Sequence, residues 1–294
     1  MKYRITHLTR YEAREKISMG MNQVYLTPRN TSWQTCEYSR VLTSPPATSS
    51  DRRTDYFGNI VNYFCFERGY QKLEIRASSR VAVQPRELLH RENSLPWDKL
   101  IRTLAQQQRD QYATLEMTIP SPMVHDLAGQ VRDYARVSFP PERPILDGLE
   151  DLLSRFRRDF TFDNSATTLN TPILEVFEER KGVCQDFAHL AIAMLRALGI
   201  PARYVSGYLR TYPKAGQPRL RGADASHAWV GVYCGSLGWV DIDPTNNSFV
   251  SDEHITVAWG RDYSDVAPVR GVIIGSGTHA LDVSVDVEPI TSAA

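Results

Sequence analysis

Lys181-Gly182-Val183-Cys184-Gln185-Asp186-Phe187-Ala188 opens a run whose apolar positions recur with the 3.6-residue period of a buried helix. Those positions are Val183, Phe187, Leu190, Ala191, Met194, Leu195 and Leu198. Gly199-Ile200-Pro201 then ends the helix, a glycine stop with proline just beyond. The pattern predicts a core helix with Cys184 in its first turn. Unpaired backbone N–H groups and the positive end of the helix dipole favour a thiolate there. Gly182 leaves the approach to the sulfur without a side chain, so a substrate backbone can come close. Cys184 shares a helix face with Ala188 and Ala191, which admits a packing partner near the sulfur.

A nucleophilic thiol needs a base, and two histidines are candidates. His189 lies five residues along the same helix, about 140° around from Cys184, and so points elsewhere, as a core-edge or partly exposed side chain. His227 follows Cys184 by 43 residues and opens the run His-Ala-Trp-Val-Gly-Val-Tyr-Cys, which has the composition of a strand. Gly235-Ser236-Leu237-Gly238 supplies a turn, and Trp239-Val240-Asp241-Ile242-Asp243 a second strand, giving an antiparallel hairpin.

Paired residues of an antiparallel ladder have a constant number sum, and only residues of like face can meet. A sum of 470 sets His227 directly opposite Asp243, and 472 makes them diagonal neighbours within side-chain reach. An odd sum such as 473 separates them onto opposite faces. A Cys-His-Asp arrangement therefore requires an odd-length turn, or a bulge, at Gly235–Gly238. Asp241 and Asp243 share one face, so alternation does not choose between them. Asp243 ends the strand before Pro244-Thr245, where it is placed to accept the second ring N–H of His227 and hold one tautomer.

Gly-x-Cys at the head of a helix, His-x-Trp at the head of a strand and Trp-x-x-x-Asp-Pro-Thr closing the hairpin resemble the transglutaminase-like superfamily, and most closely its bacterial, protease-like branch. The segments from Gly199 to Tyr208 and from Gly260 to Pro268 resemble the same branch, as do Thr6-His7-Leu8-Thr9-Arg10-Tyr11-Glu12 and Asp55-Tyr56-Phe57-Gly58-Asn59 in its preceding β-rich domain. The resemblance covers nearly the whole chain. It implies a nucleophile at Cys184, a base at His227 and an orienting acid at Asp243, the fourth residue after Trp239. Animal transglutaminases carry tryptophan directly after the cysteine, where this chain has Gln185, which weakens the transfer of their calcium dependence and glutamine crosslinking. The backbone N–H of Cys184 is the first candidate oxyanion donor.

Lys+Arg and Asp+Glu both number 34 among 294 residues, so no net field recommends nucleic acid or an anionic membrane as partner. No apolar run approaches the about 18 residues of a membrane span, and the start alternates like a strand rather than a signal peptide. The four cysteines, Cys36, Cys65, Cys184 and Cys234, show no Cys-x-x-Cys spacing. A reduced, cytoplasmic setting with no metal and no cofactor is expected.

The expected fold is α+β, with four stretches. Residues 1–85 read as a small β-sandwich, with alternation at Leu73, Ile75 and Ala77 and a turn at Gly58-Asn59. Residues 86–144 read as a helical connector interrupted by Pro120-Ser121-Pro122. Residues 145–268 are the catalytic core, a cysteine-bearing helix on an antiparallel sheet, papain-like or transglutaminase-like by the resemblance. It begins with a helix from Ile145 to Phe156, and the polar loop Asp163–Asn170 leads to Thr171-Pro172, an N-cap and first-turn pair. Residues 269–294 form a strand and tail. Gly182, Gln185, Trp229 and Trp239 are candidate substrate contacts, although the general burial of such residues favours core packing for the tryptophans. Three functions stand open: thiol-dependent cleavage of a peptide or protein amide through a thioester, the same first half followed by transfer to an amine acceptor, or a non-catalytic binding module.

Overall fold

A computed structural model describes the chain except residues 87–90, 107–110, 126–127, 170, 213–225, 276–277 and 291–294. Six strands come first: β1 (Lys2–Ile17), β2 (Met19–Val24), β3 (Gln34–Ser44), β4 (Ser49–Thr54), β5 (Ile60–Phe66) and β6 (Tyr70–Val83). Helices α1 (Trp97–Gln106), α2 (Tyr112–Leu115), α3 (Gly129–Ser138) and α4 (Ile145–Asp159) follow, then β7 (Thr161–Phe162), α5 (Ile173–Glu179), β8 (Lys181–Gly182) and α6 (Cys184–Ala197). The chain continues through β9 (Ala202–Leu209), β10 (Ser226–Tyr233), β11 (Trp239–Asp243), β12 (Ser248–Phe249) and β13 (His254–Gly260), and closes with α7 (Tyr263–Val266), β14 (Val269–Ile274) and β15 (His279–Pro289).

The N-terminal strands form two four-stranded sheets, β15-β1-β6-β3 and β14-β2-β5-β4. Strand β6 buries Tyr70, Leu73, Ile75 and Ala77 against Val24, Phe64 and Phe66 of the other sheet, so the two layers share one apolar filling. This follows from the period-2 alternation, which gives each strand one apolar face. The last two strands return to this region: β15 pairs with β1 along its length, Ile5 facing Val287, and β14 pairs with β2. At the Asp55–Asn59 turn Gly58 takes φ +77°, a left-handed conformation that glycine adopts without a Cβ penalty.

The core sheet has the order β12-β11-β10-β9-β13 and is antiparallel throughout. Helix α6 packs against β9 and β10 and against α3 and α5. Every residue from Asp186 to Arg196 is buried, which is why this stretch of sequence is apolar almost all round. Each fully buried Leu or Ile side chain there contributes about 1.5–3 kcal/mol, so α6 is the central beam of the core. The expected helix start at Thr171-Pro172 is displaced by one position: Pro172 is the N-cap residue of α5, and Thr171 Oγ1 accepts the Thr168 N–H instead. Asn170 lies outside the described residues.

Edge strand β13 docks the core on the sandwich. Gln34 makes a reciprocal amide clamp with the Thr256 backbone, 2.8 Å in both directions. Asn59 does the same for Trp259, at 2.8 and 3.0 Å. These four bonds satisfy strand groups that would otherwise be an open sheet edge. Among the described residues no helix is long and apolar enough to cross a membrane.

Candidate active site

Helix α6 begins at Cys184, with Val183 as its N-cap residue in extended conformation. Asp186 Oδ2 accepts the Val183 N–H at 2.8 Å and the Thr167 hydroxyl at 2.6 Å, fixing the first turn and tying the 163–169 loop to it. A β-carbon at Gly182 would stand 2.9 Å from Asp186 Oδ2. The space left by the glycine is therefore filled by the capping carboxylate. This corrects the sequence expectation that Gly182 clears a path for substrate. Gln185 and Cys184 are half-buried.

The hairpin sets the second group. Val230 pairs with Ile242 and Tyr233 with Trp239, an even register in which His227 and Asp243 are diagonal neighbours on one face. The Gly235–Leu237 turn, with Gly235 and Gly238 both at φ +68°, produces it. His227 Nε2 lies 2.7 Å from Asp243 Oδ2. Cys184 lies near enough to the ring to help raise its pKa. With Nε2 committed to the carboxylate, Nδ1 is the nitrogen left for the sulfur. Alternation left Asp241 and Asp243 equivalent; their partners separate them. Asp241 is turned to Arg86 at 2.9 Å and to the Trp229 indole N–H at 3.3 Å.

Asp243 is fully buried. Burial alone would raise its pKa, but hydrogen bonds from His227, His254 and Asn246 outweigh it and hold the carboxyl well below the usual range. Burial likewise pulls His227 down, and its hydrogen bond with Asp243 and the nearness of Cys184 more than reverse this, raising it to about 10. His189 differs. It is buried rather than partly exposed; its Nε2 accepts the Tyr263 N–H at 3.1 Å, and burial lowers its pKa to about 4.

His227, Asp243 and His254 also present nitrogen and oxygen atoms all within 4.8 Å of one another, a spacing compatible with a metal ion. The ring of His254 argues against that use. Its Nδ1 accepts the Ser251 N–H at 3.3 Å, so Nε2 carries the proton and offers a donor, not a lone pair, toward Asp243.

Residues 132–244 match the transglutaminase-like superfamily core, and residues 3–82 match the bacterial transglutaminase-like N-terminal region. A protein of Mycobacterium tuberculosis is 40% identical over 296 residues, spanning 98% of this chain and 93% of that one. This chain belongs to the transglutaminase-like superfamily. A Mycobacterium leprae relative is 32% identical over 287 residues, covering 97% of this chain and 98% of its own. A protein-glutamine gamma-glutamyltransferase of Pseudomonas aeruginosa is 36% identical over 98 residues, 32% of this chain and 15% of that protein. In fold, a candidate cysteine protease from Cytophaga hutchinsonii superposes with a TM-score of 0.78 at 19% identity, over 100% of this chain and 92% of that one.

Within this superfamily core the two tryptophans weighed as substrate contacts or core residues take different places. Trp229 is fully enclosed, packing with Val205 and Val250 and lying edge-on to His254 at 5.3 Å. Trp239 pairs with Tyr233 at the far end of the hairpin, about 20 Å along the strand from His227. There it lines a cavity of about 830 Å³ with Trp33, Arg86, Asp241 and Phe249. Trp229 thus takes the core-packing role that its composition favoured, while Trp239 stands away from His227, because period-2 alternation gives a face but not a distance along it. The residue that sequence reasoning missed is His254. Its only signal is a histidine heading the strand-like run His-Ile-Thr-Val-Ala-Trp.

The raised His227 pKa has a consequence for stability. Because the folded value of about 10 exceeds the ordinary 6.5, the fold favours the protonated ring. That stabilisation is complete below about pH 6.5 and is lost as pH rises toward 10. Urea unfolding of the unsubstituted protein and His227→Gln should show a stability gap that narrows by roughly 2–4 kcal/mol between pH 6 and pH 10. A gap that stays constant across this range contradicts the assignment of charge to His227.

Proposed function

We propose that the chain is a thiol-dependent amidohydrolase of the cysteine-peptidase kind, acting on a peptide or protein amide through a thioester at Cys184. The observation that carries this reading is the 2.7 Å contact of His227 Nε2 with Asp243 Oδ2, with Cys184 at the head of α6 near enough to the ring to help raise its pKa. The Cys184 sulfur attacks the amide carbonyl carbon, forming the S–C bond and pushing an electron pair onto oxygen. The N–H of Cys184, at the first position of α6 where helix N–H groups have no intrahelical partner, serves in this reading as donor to that oxyanion. As the intermediate collapses the C–N bond breaks, and His227 gives its proton to the departing amine. Water then loses a proton to His227 as it attacks the thioester, the C–S bond breaks, and the acid leaves with thiolate and imidazolium restored. Asp243 holds the ring in the orientation that serves both steps.

A second reading has a specific observation behind it: similarity over 98 residues to the Pseudomonas aeruginosa gamma-glutamyltransferase. In that case an amine resolves the same thioester. Incubating a peptide library containing glutamine with and without a primary amine, with Cys184→Ala as blank, separates the two by product mass. Under hydrolysis, masses consistent with amide cleavage dominate even with the amine present. Amine adducts in excess of hydrolysis products would move the assignment to the transferase, and masses equal to the blank would remove both.

A further inference from the structure

Asp243 receives five hydrogen bonds from the described residues. Oδ1 accepts the backbone N–H groups of Thr245 and Asn246 at 3.0 and 3.1 Å. Oδ2 accepts from His227 Nε2 at 2.7 Å, Asn246 Nδ2 at 2.7 Å and His254 Nε2 at 3.1 Å. Asn246 is exposed and can turn to water. His254 is only 4% exposed, with no solvent alternative. It reaches Asp243 from β13, which is not a hydrogen-bonded neighbour of β11 in the sheet. The direction of its bond is fixed, since Nδ1 is occupied as acceptor by the Ser251 N–H. Trp229 backs the ring edge-on, and Trp229 is itself wedged over Gly207, where a β-carbon would meet its ring at 2.4 Å and the Ile255 carbonyl at 2.2 Å.

We propose that His254 is a positioning residue of the site, its Nε2–H holding the Asp243 carboxylate in the orientation from which Oδ2 accepts the His227 ring. The inference rests on the reading of Cys184 and His227 as a reacting pair. Oδ2 is the atom shared by both imidazoles; the Thr245 and Asn246 N–H groups anchor Oδ1 but leave the carboxylate free to tilt about that end, which would carry Oδ2 away from the His227 ring. His254 closes that freedom from the far side of the sheet, and the sandwich, through the Gln34 and Asn59 clamps on β13, holds the strand that carries it. Among the described residues, the titratable groups facing this unit are Cys184 from α6, His227 from β10 and Asp243 from β11. Asp241 is turned to Arg86, and Glu253 is bonded to the Tyr212 hydroxyl.

The test reads the imidazolium without needing a substrate. Iodoacetate, an anion, is drawn to a thiolate beside a cation, whereas neutral iodoacetamide is not. The ratio of their rates at Cys184, followed by peptide mass, therefore falls where His227 loses its proton. In His254→Leu that fall should move about one pH unit lower, a tenfold loss of imidazolium at the alkaline end. His254→Gln, whose amide can donate from nearly the same point, should stay within about 0.3 unit of the unsubstituted protein, a small part of the shift a lost charged hydrogen bond produces. Equal behaviour of both variants, shifted or not, overturns the positioning role. A ratio in the unsubstituted protein that His227→Ala leaves unchanged defeats the underlying pairing of Cys184 with His227, and the inference with it. Should the leucine variant fail to fold, histidine ¹⁵N spectra of the unsubstituted protein decide: the Nε2–H tautomer of His254 is expected, and the Nδ1–H tautomer refutes the proposal.

Discussion

Replacing His227 by alanine lowers Cys184-dependent amide turnover by about 10⁴-fold or more, and Cys184→Ala lowers it at least as far. The size follows from what each group supplies. Without the ring, neither expulsion of the amine nor attack by water has a proton carrier, and the thiolate loses the cation beside it. Because the two act as one unit, the double variant is no slower than the slower single variant. Asp243→Asn leaves a side chain of the same shape that still accepts through one oxygen. It removes the charge that sustains His227 in its protonated form, and a loss of about 10³–10⁴-fold is expected. Single-turnover measurements with thioester trapping by mass assign each loss to acylation or deacylation. Activity in His227→Ala within threefold of the unsubstituted protein would end the proposal that these side chains form a catalytic line.

The core helix and the hairpin were legible because their information is local. The period of Val183, Phe187, Leu190 and Met194 specifies a buried helix, and the sequence reduced the pairing of His227 with Asp243 to one condition, an even register, which the turn at Gly235–Gly238 meets in the structure. What alternation could not specify is which aspartate has the histidine. That depends on Arg86 reaching across from the end of the sandwich region to take Asp241. His254 was invisible for a related reason. Its contact joins strands that are not hydrogen-bonded neighbours, and no spacing along the chain encodes that reach. Gly182 looked like a substrate passage and is instead the gap that the Asp186 cap occupies, a distinction set by one side-chain rotamer.

The second large effect concerns stability and sits at the opposite end of the same helix. Arg196, in the last turn of α6, is 3% exposed. Its guanidinium donates twice to the Ala202 carbonyl, at 3.1 and 2.9 Å, and to the carbonyls of Ile119 and Arg261 at 3.1 and 2.7 Å, with a further bond to Ser121 Oγ at 3.0 Å. One side chain thus ties the connector, the start of β9 and the segment before α7 to the helix that carries Cys184. Burial lowers its pKa to about 10, which still leaves the charge in place at neutral pH. Arg196→Ala should destabilise the protein by about 3–5 kcal/mol, because three carbonyls lose buried donors and a cavity opens. Arg196→Lys keeps the charge, but its point-like ammonium cannot span the fork, so a loss of about 2–3 kcal/mol is expected rather than full rescue. Urea midpoints at constant slope measure both. Arg196 lies about 18 Å from Cys184 along α6, twelve residues at the helical rise, so the folded fraction of either variant should keep the dependence of Cys184 alkylation on His227. A lysine variant as stable as the parent would show that charge, not the guanidinium fork, joins these segments. Loss of the alkylation coupling in still-folded protein would show that the far end of α6 sets the geometry at its head.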